Sequence, residues 1–223
     1  MNDFPFDIVG FDLDGTLLDT HGDLAEAVNH ALASVGRACI PHGEVRNLVG
    51  GGSGRMLKRA LEITGGAVSD AEFAELHGTL LEYYGQNLSA YSCLFPGGEA
   101  MLDGLAERGV TLAVATNKFE RFARALLDEL GLSPRFATIL GGDTLGQGKG
   151  KPAPDMLHEM IRQCGGGRAA YVGDTTYDTL AARAAGIPCV AVSFGFKDVA
   201  LEELGAAAVI DHYDELIPAL ERL

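Results

Sequence analysis

The stretch Asp7-Ile8-Val9-Gly10-Phe11-Asp12-Leu13-Asp14-Gly15-Thr16 joins a short apolar run to two acids and a glycine. A mostly apolar run of this length that ends in polar residues is typical of a buried parallel strand. Helical patterns separate most of the similar runs further along the chain, which lie at 110–116, 137–140, 169–172, 188–192 and, more weakly, 207–210. This alternation of strands and helices predicts an α/β fold with a doubly wound, mostly parallel sheet.

Residues 19–91 break the alternation, because they contain several helical patterns and no convincing strand. Ser69-Asp70-Ala71-Glu72 has the capping-box pattern of a helix start, and one apolar stripe at helical spacing consists of Leu24, Ala27, Val28, Ala31, Leu32 and Val35. We therefore expect an all-helical cap domain at 19–91, inserted into an α/β core domain formed by 1–18 and 92–223. An insertion directly after the first strand lies over its carboxyl end, where open α/β sheets bind ligands, so the cap is predicted to act as a lid.

The charge balance and the cysteine pattern restrict the partners. Seventeen Lys and Arg residues against 31 Asp and Glu give a net charge of −14, which disfavours binding to nucleic acid or to an anionic membrane. No apolar run approaches the roughly 20 residues of a membrane helix, and the first residues lack the basic flank of an export signal, so we expect a cytoplasmic protein. The four cysteines form no C-x-x-C pair, which argues against a zinc site or a disulfide framework. These features favour a small charged molecule as the partner.

Asp12 and Asp14 leave the first strand through a turn that Gly15 permits. A turn that starts at the strand end can let both acids reach one pocket. One carboxylate can then attack as a nucleophile while the other handles protons. The alternative is an acidic loop with a helix cap.

Two other strand ends carry groups that suit a phosphoryl group. Thr116 and Asn117 offer a hydroxyl and turn amides, although Thr116 taken alone would be a helix cap. Lys151 offers an ammonium that can neutralise both phosphate and carboxylates. Lys149 is a rival for this role, and we prefer Lys151 because Pro152 restricts the backbone next to it.

Asp174 and Asp178 follow the apolar run 169–172. Mg²⁺ prefers oxygen ligands and often bridges one or two carboxylates to a substrate phosphate, so this pair indicates a magnesium site. The alternative is a helix start with favourably placed acids. Because the carboxyl ends of parallel strands meet at one edge of a sheet, all four groups of residues are expected to converge there.

Together, the four elements resemble the motifs of the haloacid dehalogenase superfamily, in the order of that family and over nearly the whole chain. The corresponding segments are 11–17, Thr116-Asn117, Lys151-Pro152 and 173–178. The helical insert is similar to the helical cap of this family. Its segment Gly50-Gly51-Gly52-Ser53-Gly54, followed by Arg55, resembles the cap of phosphoglycolate phosphatases.

The resemblance implies a magnesium-dependent phosphatase in which Asp12 forms an aspartyl-phosphate. Asp14 would protonate the leaving oxygen and then activate the hydrolytic water, a second acid that also argues against dehalogenation. The metal ligands would be Asp12, the backbone carbonyl of Asp14 and Asp174, with Asp178 as a ligand or as support.

The resemblance also assigns residues that bind the substrate. Thr116, Asn117 and Lys151 would hold the phosphoryl oxygens, and Ser53 and Arg55 in the cap would contact a substrate carboxylate. We expect a small phosphorylated metabolite as substrate, with 2-phosphoglycolate first, and a monomer or homodimer.

Three other functions use similar residues. A phosphosugar mutase or phosphatase shares the core, and a phosphonoacetaldehyde hydrolase additionally needs a cap lysine, for which Lys58 is the sole choice in 19–91. The alternative that is not an enzyme is a receiver-like phospho-acceptor in signalling. The second acid, Asp14, and the long insert favour turnover over signalling.

Overall fold

The computed structural model describes residues 4–223. Its strands are β1 (Ile8–Phe11), β2 (Leu18–Asp19), β3 (Cys93–Leu94), β4 (Thr111–Ala115), β5 (Thr138–Leu140), β6 (Ala169–Gly173), β7 (Cys189–Val192) and β8 (Ala208–Ile210). Six of them form one sheet in the order β5-β4-β1-β6-β7-β8, and every neighbouring pair is parallel. The predicted doubly wound sheet is therefore confirmed, and each apolar run identified in the sequence contributes one strand.

The helices fall into two groups. The first four, which we call the cap helices, are α1 (His21–Ser34), α2 (His42–Val45), α3 (Ser53–Thr64) and α4 (Asp70–Gln86). The others flank the sheet and are α5 (Gly98–Glu107), α6 (Glu120–Glu129), α7 (Asp155–Gln163), α8 (Thr176–Ala185) and α9 (Leu216–Leu220). Among the described residues, no helix combines the length and the apolar character that crossing a membrane requires.

Alternation along β1 gives the sheet two apolar faces. Ile8 packs in a cluster with Met156 and Met160 of α7, whereas Val9 and Phe11 belong to the larger cluster on the opposite face. A strand buried on both faces has no solvent side and needs apolar residues throughout. The end of β1 is consequently fixed from both sides, and this is the point at which the acids begin.

The cap helices pack through the stripe that the sequence indicates. Five of its members on α1 are buried, whereas Val35 lies after the end of the helix and is half exposed. At the start of α4, Ser69 accepts from the Glu72 amide and Glu72 accepts from the Ser69 amide, so the predicted capping box is present. Residues 21–86 thus contain the four cap helices, while the domain limits given above remain a prediction.

A short antiparallel ribbon joins the cap helices to the sheet. β2 pairs with β3, with Leu18 opposite Leu94 and Asp19 opposite Cys93. The sequence does not reveal this ribbon, because two-residue strands carry no periodicity. It brings the outgoing and returning chain segments together.

Asp23 fastens this junction. Its buried carboxylate accepts hydrogen bonds from the amides of Tyr91 and Ser92 and from the Ser92 hydroxyl, at 2.6–3.2 Å. Since Asp23 lies in the first turn of α1, one side chain connects the start of the cap helices to the segment that leaves them.

We expect Asp23→Ala to lower the free energy of unfolding by about 2–3 kcal/mol, because it leaves buried amides without an acceptor. The measurement is the urea midpoint followed by circular dichroism. Glu62→Ala, which removes an exposed carboxylate from α3, is the control and should stay within about 0.5 kcal/mol of the parent. Equal midpoints for the two variants would contradict the role of Asp23.

Candidate active site

The turn after β1 separates the two acids that the sequence singles out. The Gly15 amide donates to the Leu18 carbonyl, and Gly15 has a φ of +80°, a conformation that glycine adopts without strain. Asp12 remains beside the sheet and faces Lys151, whereas Asp14 faces Lys118. Both acids line one cavity between the sheet and the cap helices.

Lys151 lies at the centre of a buried charge cluster. Its Nζ is 2.9 Å from Asp12 Oδ1, 2.6 Å from Asp178 Oδ1 and 2.8 Å from the Tyr171 hydroxyl. Lys149 instead lies exposed and pairs with Asp155. The structure therefore brings Lys151, and not Lys149, to the acids at the strand ends.

Asp174 and Asp178 are both fully buried, but they are held differently. Asp174 accepts from the Thr16 hydroxyl at 3.1 Å and from the Phe196 amide at 2.7 Å. Asp178 Oδ2 accepts from the hydroxyl and amide of Thr175, which completes a capping box at the start of α8. With its other oxygen on Lys151, Asp178 also plays the helix-start role that the sequence left open.

Glycines allow the backbone to approach these carboxylates closely. A Cβ at Gly173 would lie 2.3 Å from Asp178 Cβ, and one at Gly195 would lie 2.4 Å from Asp174 Cβ. Non-bonded carbon atoms do not approach this closely, so a side chain at either position would displace a carboxylate.

Burial controls the charge of this cluster. It raises the pKa of Asp12 to about 6, although the Lys151 ammonium opposes the shift. Burial, together with Asp178 and Asp12, raises the pKa of Asp174 well above its usual range. Burial alone would lower the pKa of Lys151, but Asp12 and Asp178 reverse this effect, so Lys151 stays an ammonium.

The donor set suits a hard divalent cation. Asp12, Asp174 and Asp178 each offer a carboxylate oxygen, and these oxygens lie within 4.8 Å of one another. Three buried carboxylates face one ammonium, so the fully ionised cluster has an excess of negative charge that a bound cation would offset. Oxygen ligands of this kind are those that Mg²⁺ prefers.

Thr116 and Asn117 lie at the end of β4 and line the same cavity. The Thr116 hydroxyl accepts from the Lys118 amide at 3.3 Å, which is a local turn contact because α6 begins only at Glu120. Asn117 Nδ2 donates to the Lys151 carbonyl at 2.9 Å and so ties the β4 end to the segment that carries the lysine.

Lys118 is a site residue that the sequence reasoning missed. Its buried Nζ lies 2.7 and 2.9 Å from the two oxygens of Asp14, and the Thr20 hydroxyl donates to Asp14 at 2.7 Å. Burial lowers the pKa of Lys118, but Asp14 and Tyr84 outweigh this effect and the net shift is upward. The available signal was its position directly after Thr116-Asn117.

The glycine loop of the cap presents Ser53 and Arg55 in different settings. Ser53 lines the cavity, and its Oγ is 2.9 Å from Nε2 of His77. Partial burial lowers the pKa of His77. Arg55 is exposed, donates to the Tyr177 hydroxyl and lies 5.3 Å from the centre of that ring. Arg55 thus contacts Tyr177 of α8 and is not among the residues that line the cavity with Asp12.

Comparison with known proteins gives one consistent family. The model of haloacid dehalogenase-like hydrolases matches residues 6–186. The phosphoglycolate phosphatase of Agrobacterium fabrum is 40% identical over 214 residues, which cover 94% of this chain and 90% of that protein. The phosphoglycolate phosphatase of Mesorhizobium japonicum is 40% identical over 219 residues, with 97% and 96% covered. The crystal structure of a predicted phosphoglycolate phosphatase from Haemophilus somnus has a TM-score of 0.89 and 27% identity, with 97% and 98% covered.

The chain belongs to the haloacid dehalogenase-like hydrolase family, as the order of its motifs predicts. Within that family it is a phosphatase, a hydrolase that acts on phosphate monoesters.

Tyr171 supports the cluster from inside the sheet, because its hydroxyl accepts from Lys151 and donates to the Ala115 carbonyl. We expect Tyr171→Phe to lower the free energy of unfolding by about 2 kcal/mol, since two buried polar groups lose a partner. The urea midpoint measures this change. Tyr91→Phe alters an exposed ring and serves as the control, and a loss of the same size in both variants would contradict the role of the Tyr171 hydroxyl.

Proposed function

We propose that the protein is a magnesium-dependent phosphatase of small phosphorylated acids, with 2-phosphoglycolate as the first candidate, and that it acts through an aspartyl-phosphate. One observation carries the proposal. Asp12 lies between Lys151 and Asp174 at the end of β1, in the wall of a cavity that Asp14 also lines.

Asp12 is the nucleophile in this proposal. Its Oδ1 makes no hydrogen bond of good geometry among the described residues, although the Lys151 ammonium is 2.9 Å away. The Lys151 ammonium opposes the rise that burial causes in the pKa of Asp12, and the ionised carboxylate is the form that attacks phosphorus. The product of attack is an acyl phosphate on Asp12, and water then hydrolyses it.

Asp14 is the proton donor and later the base. It follows Asp12 by two residues but points away from the carboxylate cluster, toward the cap side of the cavity. A leaving group bound on that side would receive its proton from Asp14 as the ester bond to phosphorus breaks. The same carboxylate then takes a proton from the water that attacks the phospho-enzyme.

Lys151, the Thr116 hydroxyl and the backbone amide of Asn117 bind the phosphoryl oxygens in this proposal. Asp12 and Asp174, with the backbone carbonyl of Asp14, would hold Mg²⁺, which when bound neutralises negative charge on the phosphoryl group and on the carboxylates. Asp178 holds Lys151 and the start of α8, so its role is to position the ammonium.

The substrate class rests on the relatives and on the shape of the site. Proteins 40% identical to this chain at nearly full length are named phosphoglycolate phosphatases. Lys58, the cap lysine required for a phosphonoacetaldehyde hydrolase, is exposed and lines a separate groove together with Arg55 and His77, not the cavity that Asp12 lines. A Schiff base at Lys58 would form away from Asp12.

We expect the protein with Mg²⁺ to release inorganic phosphate from 2-phosphoglycolate with a higher kcat/KM than from sugar phosphates or phosphonoacetaldehyde. Asp12→Asn should lower kcat by about 10⁴-fold or more, because the nucleophile is lost. Asp14→Asn should lower kcat by about 10²–10⁴-fold, as expected for loss of general acid–base catalysis. Asp70→Asn, at the exposed start of α4, is the control and should retain turnover.

Two other results would contradict parts of the proposal. Higher kcat/KM for a hexose phosphate would replace the proposed substrate class. Stable phosphorylation of Asp12 without release of phosphate would support the receiver-like alternative and contradict the phosphatase mechanism.

We expect saturating Mg²⁺ to raise the melting temperature of the protein by about 5 °C or more, because a ligand that binds the folded state stabilises it. Asp174→Asn should abolish most of this increase, whereas Asp70→Asn should retain it. Differential scanning calorimetry with and without Mg²⁺ measures both effects independently of activity. An equal increase in the Asp174→Asn variant would remove Asp174 from the metal site.

A further inference from the structure

We propose that Lys118 and Tyr84 form a subsite that binds a carboxylate on the leaving group of the substrate, beside Asp14. This inference rests on the proposed function and deepens it. It concerns residues to which the sequence assigned no role.

The buried ammonium of Lys118 is paired with Asp14. The Lys118 side chain is 5% exposed, and Asp14 is the sole carboxylate within 4 Å of Nζ in the part of the chain that the structure describes. Both Asp14 oxygens contact this ammonium, and the Thr20 hydroxyl adds a third donor. These contacts fix the Lys118 ammonium in the wall of the cavity.

The pairing leaves Lys118 able to bind a second anion. An ammonium has three N–H donors, and Asp14 is its single carboxylate partner in the described part of the chain. A carboxylate of the substrate can therefore bind Lys118 beside Asp14.

Tyr84 supplies the second donor of the subsite. It lies on α4, is 2% exposed, and its hydroxyl donates to no acceptor among the described residues. The centre of its ring is 4.6 Å from Lys118 Nζ, and both residues line the cavity that contains Asp14. Burial raises the pKa of Tyr84 to about 12, so the group is a neutral donor at neutral pH. A buried donor of this kind is normally paired with an acceptor.

The remaining wall of the cavity selects a small acid. Apart from Ser53 and Tyr84, the side chains on the cap side of the cavity are apolar, and they include Leu24, Met56, Leu80 and Leu81. These side chains offer no partner to the hydroxyls of a sugar, and a buried hydroxyl without a partner is costly. A leaving group of two or three carbons that ends in a carboxylate matches an ammonium and a phenol set in an apolar wall.

The other cations near the cap have different partners. Arg55 is exposed and contacts Tyr177. Arg46 donates to the Phe194 carbonyl at 3.1 Å and lies 5.6 Å from the centre of the Phe196 ring. Lys118 is the cap-side cation that points into the cavity, because Lys151 lies with Asp12 on the other side.

The reaction leaves the bound carboxylate unchanged. The substrate carboxylate first binds Lys118 and Tyr84. Asp12 then forms a bond to phosphorus while the bond from phosphorus to the ester oxygen breaks, and that oxygen receives the proton of Asp14. Glycolate leaves as the carboxylate that entered.

A matched pair of substrates tests this inference. 2-Phosphoglycolate and 2-hydroxyethyl phosphate differ in that a CH₂OH group replaces the carboxylate. We expect the parent protein with Mg²⁺ to favour 2-phosphoglycolate by about 100-fold or more in kcat/KM, since a site built to bind a polar group rejects an analogue that lacks it.

Lys118→Met should reduce this preference by about 100-fold, and Tyr84→Phe by about tenfold. Tyr83→Phe, the neighbouring tyrosine on α4 whose ring stacks on His30, is the control and should keep the preference. A merely structural role for Lys118 or Tyr84 would lower kcat/KM for both substrates equally. Equal losses would therefore overturn the inference while leaving the phosphatase proposal intact.

A binding measurement covers variants that fold poorly. Glycolate should inhibit hydrolysis of 4-nitrophenyl phosphate, and its inhibition constant should rise by about tenfold in Tyr84→Phe but stay the same in Tyr83→Phe. An unchanged constant in Tyr84→Phe would also overturn the inference. Failure of the parent protein to hydrolyse any phosphate monoester would instead refute the proposed function, and the inference with it.

Discussion

The balance of charge in a buried space determines the arrangement of this site. Asp12, Asp174 and Asp178 lie together at the edge of the sheet, and Lys151 contacts two of them. Burial disfavours every one of these charges when it is alone. Removal of one partner therefore leaves another without compensation, so the acids and the lysine act as one unit. Three carboxylates and one ammonium leave an excess of negative charge, which a divalent cation would offset when a phosphoryl group enters the site.

The parallel sheet makes this assembly possible. β1 lies in the middle of the sheet and is hydrogen-bonded to β4 and β6, so residues more than 100 positions apart in the chain reach the same edge. The apolar strands hold that edge on both faces of the sheet. The cap helices close it from above, and their contribution is chemical as well as steric, because Tyr84 of α4 and Thr20, directly before α1, approach the pair formed by Asp14 and Lys118.

The sequence is sufficient to predict the sheet, the inserted helices and the convergence of Asp12, Thr116, Lys151 and Asp174. These features depend on local apolar runs and on the rule that parallel strands end at one edge, both of which can be recognised in a single chain. The contact between Lys118 and Asp14 is different, because it depends on how the cap helices close over the turn after β1. For the same reason the spacing of residues did not indicate the position of the Tyr84 hydroxyl in the cavity or the contact of Arg55 with Tyr177. The ribbon of β2 and β3 was not predicted because two-residue strands carry no periodicity.

The glycines around the carboxylates also affect how this enzyme can change. At Gly173 and Gly195 even one added methyl group would collide with the acids, so the floor of the site tolerates almost no variation. Met56, Leu80 and Leu81 reach the cavity from the cap helices with flexible side chains, and replacing them leaves the carboxylates in place. The leaving-group preference of the phosphatase is therefore expected to evolve through the cap helices, while the acids at the edge of the sheet stay in place.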